Sequence, residues 1–487
     1  MNTFITQTEG WLVFLVFAIS MIGLVWLATR PHKNKDDHLL AGRNVATLPG
    51  AFSIAVSWIW APAVFVCSQK SYQQGLAGIF WFTVPNILCF FTFAPLALRL
   101  RRLMPYGYSM PDFIWKRFGG NRPAHLIFVT LTLGYELGAI ISNALAGGTL
   151  MSSLSGMELH TAILGMTLVA TSYAIWRAMP ASIVTDFIQM SVILLVAFVL
   201  VPWVVMNAGG WSIVTSGLTG ISGSINVFDP WIAYSFGIPA TLGLISGPVA
   251  DQMFYQRVMS ARYKLVVKTF VVGGLVFGIV PIVLSILGFV AASPEMVGVS
   301  IHDPQMVSVA VIQHFLPKWT LFLFAFMILC ALCSTLDSAY IAVGSIWSID
   351  IFRRYKCPNA TDKEIIQTSK KAMLVFALIG TLIAMIPGLK ILWVFLIGGA
   401  LASASLVPTV LALFWKRLTA WGAFWGAFLS FVVGLPISIY ANFSENPHLI
   451  VLSALLSVVI GLVICLYDGF FNKSHDFDFD AFTFTSN

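Results

Sequence analysis

The chain has 487 residues, of which 58% are hydrophobic and only 10% are charged, and its mean hydropathy is +0.88. Soluble domains carry about 25% charged residues, so this composition excludes a soluble domain as the body of the protein. The formal net charge of +7 must then be explained within a membrane protein, and it does not indicate nucleic-acid binding.

Apolar runs follow one another along the whole chain. A run of about 20 residues crosses a hydrocarbon core of roughly 30 Å, and a helix satisfies its backbone polar groups internally. The sequence therefore predicts an all-α membrane protein with about thirteen transmembrane helices. The predicted spans are 10–29, 47–69, 76–98, 124–152, 160–177, 182–206, 231–252, 267–291, 318–350, 369–387, 391–415, 420–441 and 447–467.

Lys and Arg residues concentrate in alternate loops. Of the 27 such residues, only Lys70, Lys318 and Lys390 fall on the other side, while segment 257–268 and Lys473 belong to the rich side. The positive-inside rule then predicts an N-terminus outside and a C-terminus in the cytoplasm, in the plasma (inner) membrane. The expected partners are the lipid bilayer and a small-molecule substrate, with no nucleic acid, and the oligomeric state is left open.

Two spans in corresponding positions contain helix breakers. Span two reads "AVSWIWAPAVF" with Pro62, and span seven reads "GLISGPVADQ" with Gly247 and Pro248. Either could be an ordinary kink, because neighbouring helices satisfy the freed backbone groups. Their separation by five helices is instead typical of transporters with a 5+5 inverted repeat, whose broken helices hold substrate and ions. The predicted organisation is an N-terminal helix and loop (1–46), two repeats (47–206 and 231–415), and two further helices with a short tail (416–487).

Span nine carries polar groups within its apolar run. Ser334, Ser338, Ser345 and Ser348 share one stripe of the helix, and Asp337 lies beside it. The serines alone could mediate helix contacts by bonding to backbone carbonyls. A carboxylate near the bilayer centre, however, costs roughly 2.5–3.5 kcal/mol and usually marks an ion or proton path. Carboxylate, hydroxyl and carbonyl oxygens suit hard cations, so this stretch predicts a cation site.

Other candidate acidic residues inside predicted spans are Glu136 in span four, Asp186 in span six and Asp251 in span seven. Asp186 and Asp251 could alternatively be interface residues near the cytoplasmic face. Glu136 could be the partner of a neighbouring helix, and the sequence names no partner for it. No metal-ligand or nucleophile pattern indicates an enzyme.

Six ordered stretches resemble the sodium/solute symporter family over about residues 10–465. They are "LAGRNVATLPGAFSIAVSW", "YSMPDFIWKRFGG", "TDFIQ", "DQMFYQRVMSAR", "STLDSAYIAVGSIWSIDIF" and "SASLVPTVLALFWKR". Within the family, "SWIWAPA", "GLAGIFWF" and "FYQRVMSAR" are most similar to the urea active transporter branch. The resemblance implies a leucine-transporter-type fold and sodium-coupled import of a small polar organic solute, urea-like as the leading candidate. An amino acid, a carboxylate or pantothenate, or a role as a membrane sensor, are the alternatives.

The resemblance also implies a shared sodium site. Its ligands would be the backbone carbonyls of Val56 and Ile59 at the break of span two, together with Ala331, Ser334 and Thr335 of span nine.

Some family members bind a second sodium ion, at a site that corresponds here to Asp186 and Ser338. Sugar-transporting members carry a hydroxyl where Asp337 stands. Our hypothesis is that Asp337 strengthens this second cation site or carries a proton.

The substrate region offers few polar side chains, which argues against a sugar. Trp58 and Trp60 lie beside the first break, and the backbone near Ser246 and Gly247 would be freed by the second. A small flat solute could stack on the indole rings and bond to that backbone, which is consistent with a urea-like substrate.

Overall fold

The computed structural model describes residues 5–296, 301, 303–472 and 476–480, and Lys473 lies outside them. In this part of the chain the regular structure is helical, and the only β-type pairing is an isolated bridge between Val45 and Ala261. Eleven helices of the described residues are long and apolar enough to cross a membrane.

The principal helices are numbered in chain order, and the second and seventh are short because spans two and seven are interrupted. They are α1 (Gln7–Ala28), α2 (Thr47–Ser57), α3 (Ala61–Leu103), α4 (Arg122–Ser155), α5 (Leu159–Ala208), α6 (Ile238–Ala250), α7 (Gln252–Ser260), α8 (Val266–Ala292), α9 (Trp319–Ile346), α10 (Asp362–Ala384), α11 (Ile391–Phe414), α12 (Ala420–Phe443) and α13 (Pro447–Phe471). Shorter helices lie between them at Lys35–Leu40, Met110–Arg117, Trp211–Ser216 and Val307–Phe315.

Two of the longest helices each contain one residue with a non-helical backbone conformation. Gly75 in α3 has φ 65° and ψ −150°, and Ala178 in α5 has φ 44° and ψ −127°. Glycine is required at the first, because a Cβ there would lie 2.4 Å from the carbonyl oxygen of Leu218. A division of both helices at these points agrees with the spans predicted on either side of them. The number of thirteen crossings stays a prediction.

The break in span two lies where the sequence predicts it. Helix α2 ends at Ser57, the backbone is extended at Trp60, and α3 begins at Ala61 with Pro62 in its first turn. Proline is well suited to that position because the first N–H groups of a helix have no partner within the helix.

The break in span seven lies one turn later than predicted. Helix α6 continues through Gly247 and Pro248 to Ala250, and the chain leaves the helical conformation at Asp251 (φ −88°, ψ 111°). The carboxylate of Asp251 then caps α7 by accepting the N–H of Met253 at 2.6 Å. The prediction was wrong in position because a proline bends a membrane helix without ending it, whereas a capping side chain stabilises a new start.

Helix α9 forms the centre of the bundle. It packs against α4 and α5 and contacts α2 and α7, and every residue from Met327 to Ile346 is buried. Around this centre, α3 packs on α8, α6 on α11, and α12 on α13. The polar stripe of α9 is therefore enclosed by protein and does not face lipid.

The segments rich in Lys and Arg meet at one end of the bundle. Asp36 accepts a hydrogen bond from Arg43 at 3.0 Å and another from the hydroxyl of Tyr108, whose carbonyl accepts from Gln252 at 2.8 Å. Burial would raise the pKa of the Asp36 carboxyl, but the hydrogen bond and charge of Arg43 outweigh it and hold that pKa below its ordinary value. These contacts tie the loops next to α2 and α3 to the start of α7.

Candidate functional site

The break in span two contacts the polar stripe of α9. The Thr335 hydroxyl lies 3.1 Å from the Ser57 carbonyl oxygen and 3.4 Å from that of Ala331. At the break itself, the N–H of Ile59 turns back to the carbonyl of Val56 at 3.0 Å. The structure thus brings Thr335 against the interrupted backbone at which the shared sodium site is predicted.

Ser334, the next predicted ligand, points to a different partner. Its hydroxyl donates to Oδ1 of Asp186 at 2.5 Å. Oδ2 of the same carboxylate accepts from Ser53 at 2.6 Å and from Ser182 at 3.0 Å. All four side chains are buried. Asp186 is therefore a central acceptor of this site.

Arg257 is the residue that the sequence reading missed. Its Nη2 lies 3.1 Å from Oδ2 of Asp186, 2.7 Å from the hydroxyl of Ser338 and 2.9 Å from that of Ser57. The side chain is only 1% exposed. The guanidinium thus lies between Asp186 and Ser338, where the second sodium ion is predicted.

A sequence signal for Arg257 does exist. All nine residues of α7 are buried. From the sequence, the last turn of this helix was predicted to belong to a loop rich in positive charge. A buried carboxylate such as Asp186 requires a cationic partner or a bound cation, since an unpaired ionised group in the interior is costly. Arg257 follows the break of span seven by about two turns and is the first Lys or Arg of the second repeat. It was therefore a candidate for the cationic partner of Asp186.

Asp337 extends the same cluster. Its Oδ1 lies 3.2 Å from the hydroxyl of Ser338 and 3.0 Å from that of Ser182, whose single hydrogen can be donated either to Asp337 or to Asp186. Its Oδ2 has no hydrogen-bond partner among the described residues. The cluster therefore contains two carboxyl groups, on Asp186 and Asp337, and one guanidinium. With both carboxyl groups ionised, it carries one negative charge in excess.

A small cavity lies beside the contact between Thr335 and Ser57. Its wall includes Trp58, Trp60, Tyr135, Asp251 and Thr335. The Trp58 indole donates to Asn86 at 2.9 Å and is 2% exposed, which fixes the ring in place. The remaining lining residues are Ser57, Gly138, Ala139, Met253, Val394 and Gly398. Both predicted tryptophans therefore line one cavity next to the predicted cation site.

Ser246 and Gly247 lie behind this wall. The backbone there is helical, and the Ser246 hydroxyl donates to the carbonyl of Leu242 at 2.6 Å. Binding of a solute by the backbone at these two positions stays a prediction. A Cβ on Gly247 would lie 2.6 Å from the Trp58 ring and 2.8 Å from the Tyr135 hydroxyl. Gly247 thus leaves room for the side chains that form the cavity.

The sequence of the chain matches a known protein family. The model of the sodium:solute symporter family matches residues 38–430. The chain belongs to this family. The chain is similar to the urea-proton symporter DUR3 of Oryza sativa subsp. japonica, with 24% identity over 89% of the chain. It is also similar to the high-affinity proline transporter PutP of Bacillus subtilis, with 26% identity over 87% of the chain. The chain spans 65% of the length of the rice protein and 90% of that of the Bacillus protein.

Solved structures show the fold of this family member. A Na⁺-coupled sialic acid symporter superimposes with a TM-score of 0.73 at 16% identity, covering 96% of this chain and 99% of the other. Mhp1, a nucleobase-cation-symport-1 transporter, gives 0.57 at 15% identity, covering 90% and 96%. The predicted all-helical fold of the leucine-transporter type is confirmed. The family and these neighbours are transporters, in agreement with the prediction that the chain is not an enzyme.

Proposed function

We propose that the chain is a sodium-coupled symporter that imports a small polar organic solute, with urea as the leading candidate. The observation that carries this proposal is the contact between Thr335 and the carbonyl of Ser57 at the interrupted helix, directly beside a cavity walled by Trp58 and Trp60. A cation held at that contact stabilises the conformation in which the cavity is formed. Such differential binding is sufficient to couple the two ligands.

The hydroxyl groups are oriented in a way that suits a cation. Ser334 donates its hydrogen to Asp186, and Thr335 donates to the carbonyl of Ser57. A hydroxyl has one hydrogen and two lone pairs, so both oxygens retain lone pairs for a metal ion. Together with the carbonyls proposed for Val56 and Ile59, and that of Ala331, these oxygens form the donor set that a hard cation prefers.

Arg257 bears on the number of ions. Its guanidinium lies between Asp186 and Ser338 in this conformation, so a second sodium ion at that position requires Arg257 to withdraw. We propose that one sodium ion suffices while Arg257 is in place. At about −100 mV, one ion supplies roughly 2.3 kcal/mol, and a tenfold sodium gradient adds about 1.4 kcal/mol, enough to concentrate a neutral solute on the order of 500-fold.

The walls of the cavity support a flat, compact solute. The rings of Trp58 and Trp60 lie 6.0 Å apart between centroids, and the Trp60 ring lies 5.3 Å from that of Phe395. Indole faces provide contact area for a planar molecule, and few polar groups are available for the many hydroxyls of a sugar. The rice relative is named for urea, which is flat and compact, and the Bacillus relative is named for proline. The cavity in this conformation has room for about one water molecule, so it must widen to admit either solute.

Counterflow in proteoliposomes tests the proposal. Vesicles loaded with unlabelled urea should accumulate radiolabelled urea, faster with sodium than with potassium, while proline and choline serve as competitors. Failure of urea to move or to compete would exclude urea and leave the family assignment intact. Movement that follows a pH gradient and ignores sodium would instead assign the coupling ion as the proton.

Asp337 provides a test of the coupling ion. If Asp337 is ionised when sodium binds, we expect Asp337→Asn to raise the sodium concentration for half-maximal counterflow about tenfold, because the neutral amide removes one negative charge from the cluster while preserving its shape. Asp468→Asn, on α13 outside the cluster, is the control. If proton coupling depends on Asp337, the variant instead loses its response to a pH gradient. An unchanged response to both ions would contradict a role for Asp337.

We propose a location in the plasma (inner) membrane with the N-terminus outside and the C-terminus in the cytoplasm. The concentration of Lys and Arg in the loops at one end of the bundle supports this orientation. Labelling of single cysteines introduced at exposed Tyr106 and exposed Trp211 with an impermeant reagent in intact cells tests it. Reaction at Tyr106 without reaction at Trp211 would reverse the orientation.

A further inference from the structure

Two carboxyl groups outside the cation cluster meet at the break of span seven. Glu136 of α4 accepts the N–H of Gln252 at 2.7 Å through Oε1, and Asp251 accepts the N–H of Met253 at 2.6 Å through Oδ1. Neither side chain is exposed. Each carboxyl group thus uses one oxygen to cap the start of α7, which leaves the other oxygen for a different role.

The remaining two oxygens require a proton. Oε2 of Glu136 and Oδ2 of Asp251 accept no N–H or O–H from the rest of the described residues. The two carboxyl groups lie side by side, because they accept the consecutive N–H groups of Gln252 and Met253. Two carboxylates that share a buried site cannot both be ionised without a large repulsion. A single proton between them satisfies both oxygens.

The groups around the pair leave this conclusion in place. Arg257 is the cation that acts on Asp251, and it is engaged with Asp186 by a direct ion pair. The other titratable groups that face the pair are neutral in their ordinary state, and they are Cys89 on α3, Tyr135 on α4 and Tyr255 on α7.

The pair also reaches the central cavity. Asp251 lines that cavity together with Trp58, Trp60 and Tyr135. Tyr135 is 7% exposed, and its hydroxyl makes no hydrogen bond with the residues that the structure describes. Because Tyr135 lines the cavity, a bound molecule with complementary groups can form a hydrogen bond with its hydroxyl. The cavity wall thus presents the carboxyl group of Asp251 and the phenol of Tyr135 beside two indole rings.

We propose that Glu136 and Asp251 hold one proton between them and that this pair, with the hydroxyl of Tyr135, binds the N–H groups and the carbonyl oxygen of a small neutral amide. The part that concerns the solute rests on the proposed function. A carboxyl oxygen that shares the proton still has a second lone pair with which it accepts an N–H group, whereas the phenol of Tyr135 donates to the carbonyl. The same pair disfavours anionic solutes, because the proton compensates only one of its two negative charges.

Infrared difference spectroscopy on the purified full-length protein at pH 7 tests the shared proton without any solute. The spectrum of the wild type minus that of Glu136→Gln should contain the carbonyl-stretching band of a protonated carboxyl group. Wild type minus the double variant Glu136→Gln with Asp251→Asn should contain the same band, because no carboxyl group remains at this site. Wild type minus Asp468→Asn is the control. Absence of the band from both difference spectra would overturn the proposal.

Counterflow with a series of ureas tests the solute role. In the wild type, unlabelled methylurea should compete with radiolabelled urea, and tetramethylurea, which has no N–H group, should not. Glu136→Gln and Asp251→Asn should each weaken competition by urea at least tenfold while sodium binding, measured with radioactive sodium, is retained. Unchanged competition in both variants would overturn the solute role. If the infrared band is present and the wild type does not transport urea, the proposed substrate fails and the shared proton stands.

Discussion

Substitution of Arg257 by Met is expected to abolish solute transport and to lower the free energy of unfolding by about 3–5 kcal/mol, the usual effect of removing one partner of a buried ion pair. Met preserves much of the side-chain volume and removes the charge. Asp186 would keep its three serine donors but lose its ion pair. Thermal unfolding in detergent and counterflow in proteoliposomes measure the two effects.

A matched control and a second variant separate charge from packing. Arg262→Met changes an exposed arginine just after α7, whose guanidinium bonds to Asn44, and should leave both measurements near the wild type. The double variant Arg257→Met with Asp186→Asn removes both charges and should recover most of the lost stability without transport. If Arg257→Met alone is as stable as the wild type, the buried ion pair is not a structural requirement.

The Lys variant examines geometry at constant charge. One guanidinium contacts Asp186, Ser57 and Ser338 at 2.7–3.1 Å. An ammonium group is a point charge without the planar fork, so Arg257→Lys should retain folding better than Met and still transport poorly. The combination identifies Arg257 as a fixed internal cation whose position matters as much as its charge.

The sequence allows the helices to be predicted because hydropathy alone decides whether a run of residues can cross a membrane. The break in span two was also predictable, since Pro62 marks the start of a new helix. The site of the second break was not, because the capping of α7 by Asp251 and its contact with Glu136 decide it, and Glu136 is remote in sequence. Pro248 indicated the correct span, but the helix ends about one turn after this residue.

The cation cluster shows the same limit. Asp186, Ser334 and Ser338 were predicted from residue type and from a resemblance. In the structure, Asp186 and Ser338 contact the guanidinium of Arg257, and Ser334 donates to the carboxylate of Asp186. Arg257 was missed because its charge, taken alone, indicates a loop at the membrane surface. Its burial depends on three helices that meet around it, which is a tertiary property. Periodicity within one segment does not contain that information.

Removal of the Thr335 hydroxyl by Thr335→Val is expected to raise the sodium concentration for half-maximal counterflow at least tenfold, which corresponds to about 1.4 kcal/mol of lost binding. Val has nearly the shape of Thr, so the helix packing is preserved while the contact with the carbonyl of Ser57 is lost. Counterflow at varied sodium concentration and constant ionic strength measures the shift.

Ser345→Ala on the same helix is the matched control, because Ser345 is equally buried and its hydroxyl has no partner within the described part of the chain. It should leave the sodium dependence unchanged. Ser334→Ala should raise the sodium requirement as Thr335→Val does and should also weaken the support of Asp186, whereas Thr335→Val should not affect that carboxylate. A sodium dependence in Thr335→Val equal to that of the Ser345 variant would place the ion elsewhere. The cluster that contains Asp186 and Asp337 would then be the remaining candidate for the sodium site.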